Sequence, residues 1–246
     1  MARKATRSKA RSTSRVKPAS TGTPRERIIE AFMALLAEQP IERIGLAEIA
    51  ERSGVTLAGL RGEFGSPLAI LAAHVKELDR AVLGASDPDM DEETPRDRLF
   101  DVLMRRLDLL VPHREAVRSL MRSVRTNPPL ALALNAMAVR SQQWMLTAAG
   151  IGASGPKGML RSQGLALLFA NVLRTWVDDD DDNTRTLAAI DRELTMGQRL
   201  SGLLDDLFRI PQAACNWRKR MREAPRRGGR RGRRDRGVRD DEHLAM

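Results

Sequence analysis

The residues of this 246-residue chain whose types could do chemistry are few and scattered: His74, His113 and His243, the single Cys215, and the acidic run Asp178 to Asp182. Carboxylate oxygens at that density would suit a hard cation such as calcium or magnesium. The run lacks the spacing and the glycine of a calcium loop. Its place before Asn183 gives it another use, because acids favour the N-terminus of a following helix through its dipole. The three histidines stand too far apart in the chain to form a metal or catalytic cluster, and His74 borders an apolar stripe as a partly buried polar neighbour. Gly152 to Gly158 holds glycines and Lys157, but no strand precedes it and no Lys-Ser/Thr pair belongs to it, so it does not read as a phosphate loop. Serine and threonine hydroxyls have no recognisable partner motif. No metal, no cofactor and no enzymatic activity are expected.

A different chemistry, contact with phosphates and base edges, is offered by Leu46-Ala-Glu-Ile-Ala-Glu-Arg-Ser-Gly-Val-Thr-Leu-Ala-Gly-Leu60. The run reads as two short helices joined by a tight turn, a helix-turn-helix. Ile49 and Ala50 put an apolar face with a small residue where the helices cross, and Gly54 stands where the turn needs a positive φ. Val55 and Leu60 plug the second helix onto the first. Thr56 opens that helix as an N-cap and leaves its first turn free to approach a phosphate or a groove edge. The exposed reading residues are then Leu57, Ala58 and Arg61, which offer thymine-methyl contacts and one bidentate arginine.

The elements that must position this motif extend on both sides of it. Thr23 and Pro24 make an N-cap with proline at the first helical position, and Ile28, Phe32, Leu35 and Leu36 recur on one face. After the motif come Glu63-Phe64-Gly65-Ser66-Pro67, and then Leu71, Val75, Leu78 and Val82 on one stripe of a longer helix. This order over residues 24–83 resembles the N-terminal domain of the TetR family of transcriptional regulators. The resemblance implies an all-α, TetR-like fold, and the apolar stripes and helix punctuation along the chain predict about nine helices. It implies a three-helix DNA-binding domain over residues 23–83, with the motif at 45–64, a linker at 84–93, and a helical ligand-binding and dimerising domain over 94–210.

The function implied is sequence-specific DNA binding by a ligand-responsive repressor. The partners implied are double-stranded DNA, a small apolar ligand of unknown identity and a second copy of the chain. Contact with DNA would come from Thr56, Leu57, Ala58, Gly59, Arg61 and Arg43. Three positions depart from the family pattern: Gly59 replaces a common threonine, Arg61 a tyrosine, and Pro67 a lysine. A glycine inside a helix costs roughly 1 kcal/mol relative to alanine, whereas an arginine can serve as a phosphate ligand in place of a tyrosine. Glu63 puts a carboxylate where the family often has histidine or tyrosine, and it repels phosphate unless it is paired.

Charge is unevenly spread. The chain carries 42 basic and 32 acidic residues, a net charge of +10. Residues 1–22 hold seven basic and no acidic groups, and residues 216–246 hold 12 basic and five acidic. Residues 23–83 hold seven basic and nine acidic groups, a balance of −2 where a DNA-binding unit is usually positive. A basic arm at 1–22 and an Arg-rich tail at 211–246 are both expected to be disordered. The arm, with Arg3, Lys4, Arg7, Lys9, Arg11, Arg15 and Lys17, would supply nonspecific DNA affinity through counterion release.

The remaining composition is that of a helical protein. Hydrophobic residues make up 42%, enough for one large core or two smaller ones, while aromatics are only 3% and tyrosine is absent. One cysteine excludes an intrachain disulfide and fits a reducing compartment. No apolar run reaches the ~18 residues needed to span a bilayer. The N-terminus has no apolar h-region; its Arg/Ser/Thr-rich, acid-free composition overlaps with that of transit peptides. A cytoplasmic protein is expected.

Past Val82 the helices continue with clear punctuation. Thr94-Pro95 repeats the cap-plus-proline start, with Leu99, Leu103, Leu107 and Leu110 on one face. Pro112 is expected to open a helix carrying the stripe Val117, Leu120, Met121 and Val124, and Asn127-Pro128 a third with Leu130, Leu134, Met137, Trp144 and Met145. Two long helices should follow, from about Pro156 to Val177 and from Asn183 to Ile210. By the resemblance these two pair with their counterparts in a second subunit, and Gly197, Ser201 and Gly202 would permit close approach. Met121, Met137, Trp144, Phe169 and Trp176 would line a plastic apolar ligand pocket if they converge. A second resemblance runs through Leu173 to Asp182 and Leu187 to Leu194, which is similar to the C-terminal region of the TetR-like, lipid-binding ubiquinone-biosynthesis protein. It implies an alternative role in binding a lipid or isoprenoid, with a degenerate helix-turn-helix.

Overall fold

Four helices begin on the same local chemistry, a capping side chain followed by proline. Thr23 caps α1 (Pro24–Glu38) with a full capping box: its hydroxyl accepts from the Glu26 N–H, and the Glu26 carboxylate accepts from the Thr23 N–H at 2.9 Å. Ser66 caps α4 (Pro67–Gly84), Thr94 caps α5 (Pro95–Leu110) and Asn127 caps α7 (Pro128–Ala148), each accepting from the N–H three residues on. Proline at the first position has no intrahelical donor to lose. The remaining helices are α2 (Leu46–Ser53), α3 (Leu57–Glu63), α6 (Arg114–Thr126), α8 (Gly155–Trp176) and α9, residues 184–199.

This computed structural model describes residues 22–85, 90, 92–180 and 182–199. Among them are nine α-helices and no strand. Residues 1–21 of the basic arm, the Arg-rich tail, and residues 200–210 of the expected last helix, Ser201 and Gly202 among them, lie outside the described residues. Among the described residues no helix is long and apolar enough to cross a membrane.

Two apolar cores result. The first gathers Ile28, Phe32, Leu35 and Leu36 of α1 with Ile49 of α2, Leu60 of α3 and Ile70 of α4, and takes in Ala116 of α6 and Leu130 of α7. The second gathers the expected leucines of α5 with Leu78 and Val82 of α4, Met145 of α7, Phe169 and Trp176 of α8, and Ile190 and Leu194 of α9. A buried ion pair crosses it, Arg106 of α5 with Asp79 of α4, and the Ser141 hydroxyl donates to the same Asp79 oxygen at 2.7 Å.

The α6 stripe departs from the sequence reading. Pro112 stands inside a 3-10 turn (Val111–His113), so α6 begins at Arg114. Its buried face is made of Ala116, Ser119 and Ser123, while Val117, Leu120, Met121 and Val124 are half-buried. Small side chains let α6 lie close to α1, and the serine hydroxyls find partners just past the end of that helix: Ser119 Oγ donates to the Gln39 carbonyl at 3.1 Å and Ser123 Oγ to Glu42 at 3.0 Å. Asn127 Nδ2 adds a third bond, to the other Glu42 oxygen, at 3.1 Å.

The acidic run caps the last helix. Asp179 accepts from the Thr186 N–H at 2.7 Å, the Thr186 hydroxyl at 2.6 Å and Arg185 Nε at 2.9 Å. Burial would raise the pKa of this carboxyl, but those hydrogen bonds hold it at about 2. Arg114 and Arg118 tie the same loop to α6 through the carbonyls of Asp179 and Val177. On α9, Gly197 faces Leu168 of its own chain, where a Cβ would meet Cδ1 at 3.7 Å.

Candidate functional site

The turn of the helix-turn-helix is built as its glycine predicts. Gly54 adopts φ 65°, and the chain closes α2 with bonds from the Gly54 N–H to the Glu51 carbonyl at 3.2 Å and from the Val55 N–H to the Ala50 carbonyl at 3.1 Å. This pairing satisfies carbonyls that the helix end would otherwise orphan. Thr56 Oγ1 then accepts from the Gly59 N–H at 3.0 Å and starts α3. Leu60, 1% exposed, anchors α3 to the core with the half-buried Val55 beside it. Thr56, Leu57, Ala58, Gly59, Arg61 and Gly62 are all exposed, Leu57 at 57%. Arg43, exposed at the end of the 3-10 turn Ile41–Arg43, accompanies them on the same three-helix unit.

Electrostatics sort the arginines of this unit into two groups. Arg25 lies 3.8 Å from Glu63 and 3.6 Å from Glu77, with its guanidinium 4.7 Å from the Phe64 ring centre. Arg52 pairs with Glu38. The Glu63 carboxylate, which would repel a phosphate if unpaired, is thus partnered by Arg25. Arg43 and Arg61 have no carboxylate partner among the described residues.

Below this unit lies a cavity of about 350 Å³, walled by α1, α4, α5, α6, α7 and α8. Met121, Met137 and Phe169 line it, as expected, together with the α6 stripe Val117, Leu120 and Val124. Two expected residues do not. Trp144 is 57% exposed, because α7 turns Ser141, Gln142 and Met145 inward and leaves position 144 outside that line. Trp176 is fully buried but belongs to the second core, near the end of α8, under the guanidinium of Arg114 at 4.8 Å.

Polar groups that the sequence reading missed also line the cavity. Arg106 and Gln142, 5% and 1% exposed, stand in its wall with His74. Histidines that are far apart in sequence meet here, since His74 and His113 pack edge to face with ring centres 4.6 Å apart. Burial, with the nearby His113 and Arg106, lowers the His74 pKa to about 4, and burial lowers that of His113 as well. One signal was available: Asp79 and Arg106 sit in register with the apolar stripes of successive helices, where isolated charges are costly unless paired.

No protein-family model matches the chain, and no curated protein matches it. Solved structures do match. The chain is similar to the TetR transcriptional regulator from Nitrosomonas europaea, at 22% identity over 71% of this chain and 97% of that one, with a TM-score of 0.56. It is also similar to a TetR-family transcriptional regulator from Streptomyces coelicolor, at 14% identity over 84% of this chain and 91% of that one, with a TM-score of 0.50. The chain therefore has the TetR-type all-α fold.

Proposed function

We propose that this chain is a sequence-specific DNA-binding transcriptional regulator of the TetR type, acting as a ligand-responsive repressor and as a homodimer. The observation that carries the reading is α3 itself, pinned by the buried Leu60 and presenting Leu57, Ala58, Gly59 and Arg61 outward. In a major groove, Arg61 would reach a guanine or a phosphate, Leu57 and Ala58 would meet thymine methyls, and Arg43 would hold the backbone. Two copies would set two half-sites one helical turn apart. A dimer face is offered by α8, where Leu160 and Leu167, 44% and 57% exposed, flank the exposed Gly164 on one stripe.

Response to a ligand follows from α6, which has the cavity on one face and residues 39–42 on the other. A small apolar molecule in the cavity would press on Val117, Met121 and Val124 and move the clamp on Glu42, next to Arg43. The test is selection of genomic fragments by the purified full-length chain. Enrichment of a two-fold-related motif is expected. Recovery of no sequence preference, with a quinone or isoprenoid lipid copurifying, would favour the second reading, a lipid-binding protein of this fold. The apolar cavity and Gly59 are the observations on that side.

A further inference from the structure

The wall of the cavity carries charge of one sign. It contains three arginines, Arg106, Arg125 and Arg174, and among its described residues no aspartate or glutamate. Arg106 is buried and balanced by Asp79. Arg125 and Arg174 have no carboxylate partner among the described residues, and Arg174 Nη1 donates to the neutral Asn171 Oδ1 at 3.3 Å. Of the residues in the wall, these two and Leu167 are the exposed ones. Arg125 belongs to α6, Leu167 and Arg174 to α8, and the two helices each pack along α7 and scarcely on one another. The cavity therefore opens between α6 and α8, with an arginine on each side of the opening.

We propose that the ligand is an amphipathic anion, with an apolar body inside the cavity and one carboxylate or phosphate head at this opening, held by Arg125 and Arg174. The inference rests on reading the cavity as the ligand site, and it names the class of molecule that fits. Below the opening the wall is formed by Leu120, Met121, Val124, Met137, Phe169 and Leu173, which suit a hydrocarbon body. An anion would be costly among them. At the rim the head keeps water on one side, while the two guanidinium groups offer charge-assisted hydrogen bonds in planar forks that match the oxygens of either acid. A neutral head leaves both arginines to water, and a cationic head is repelled. Arg125 also stands between Ser123 and Asn127, which both hold Glu42, so the head would act on the turn that clamps the residue before Arg43.

The experiment is calorimetric titration of the full-length chain, without DNA and below micellar concentrations, with four molecules that share one chain: decanoate, decyl phosphate, 1-decanol and decyltrimethylammonium. At least one acid is expected to bind about ten-fold more tightly than the alcohol, with the cation weakest, and the tighter acid identifies the head. Arg125→Gln combined with Arg174→Gln should bring the acids down to the alcohol and leave the alcohol unchanged, with the helical circular dichroism intact. If that double variant does not fold, each single substitution should remove part of the preference. Arg140, exposed on α7 and absent from the wall, is the control for the positive charge of the chain as a whole: Arg140→Gln should keep the full preference. Acids bound no more tightly than the alcohol, a preference that survives loss of Arg125 and Arg174, or one that Arg140→Gln abolishes as well would each overturn the proposal. Binding of the alcohol without any preference for the acids would leave the cavity as a ligand site and remove only its charge assignment, whereas binding of none of the four would remove both. Fragment selection uses none of these ligands, so failure of the DNA-binding reading is a separate result.

Discussion

Arg61 and Arg25 are both arginines of the three-helix unit, yet only one has its charge free for a phosphate or a base. Arg25 is shared between Glu63 and Glu77, whereas Arg61 has no carboxylate partner among the described residues. Arg61→Ala should weaken operator binding by about 1–3 kcal/mol if Arg61 reads a guanine. Fluorescence anisotropy would measure this against an unchanged melting temperature, and an unmoved isotherm would sink the assignment. The two glycines of the motif should respond with opposite signs. Gly54→Ala forces a Cβ into φ 65° and should cost roughly 1–2 kcal/mol. At Gly59 a Cβ would only touch Thr56 Oγ1 at 3.4 Å, so Gly59→Ala should gain about 0.5 kcal/mol in urea unfolding. The depressed His74 pKa also has a direction. Between the ordinary 6.5 and about 4 the unfolded chain binds the proton more readily, so stability is complete above about pH 6.5 and falls as pH drops toward 4. The loss from His74 should reach up to roughly 3 kcal/mol. Asp179 and Glu42, whose pKa values are lowered from ordinary carboxyl values, lose their contributions only at more acid pH. Urea midpoints from pH 7.5 to 4.5 would therefore isolate the histidines, and a curve as steep in His74→Leu as in the unaltered chain would refute this.

At the scale of elements, α6 is the helix whose two faces matter most and whose sequence misleads most. Its burial against α1 rests on Ala116, Ser119 and Ser123, with Ser119 only 2% exposed. Ser119→Leu should force α6 away from α1 at a cost of about 1–3 kcal/mol. It should also break the bond to Gln39 and weaken the Glu42 clamp, loosening the attachment of the segment that carries Arg43. Chemical denaturation checks the first effect and DNA titration the second; full stability in this variant would show that the close approach is unimportant. The same helix shows where legibility ended. Caps, prolines, the Gly54 turn and the leucine stripes of α1 and α5 were readable because their causes lie within a few residues of one another. Ser119 and Ser123 carry no local signal of burial, since their partners, Gln39 and Glu42, lie 80 and 81 residues away. Of the apolar stripe of α6 only Met121 read as pocket, whereas Val117, Leu120 and Val124 line the cavity too, and Trp144 read as pocket but faces outward. Periodicity names the amphipathic faces of a helix. What each face meets is set by the crossing of other helices.

Across the whole molecule, the positive charge that DNA binding would need is not on the unit that carries α3. Residues 23–83 balance to −2, with seven basic against nine acidic groups, and two of those arginines are engaged with carboxylates. Few phosphates can then be neutralised by the folded unit, and affinity from counterion release scales with the number neutralised. The sequence before residue 22 holds seven basic groups and no acid, outside the described residues. Deleting residues 2–17 removes all seven of those charges. If they track the DNA backbone, the truncated chain should lose affinity strongly at low salt. Its plot of log K against log salt should also flatten, by about 0.9 for each phosphate that is no longer neutralised. Sequence preference should survive, because phosphate contacts position a protein and base contacts specify it. Binding isotherms at several salt concentrations, for specific and scrambled duplexes, separate the two quantities. An unchanged slope would mean that the segment does not touch DNA, and that Arg43 and Arg61 must carry the backbone contacts with whatever a second copy would add.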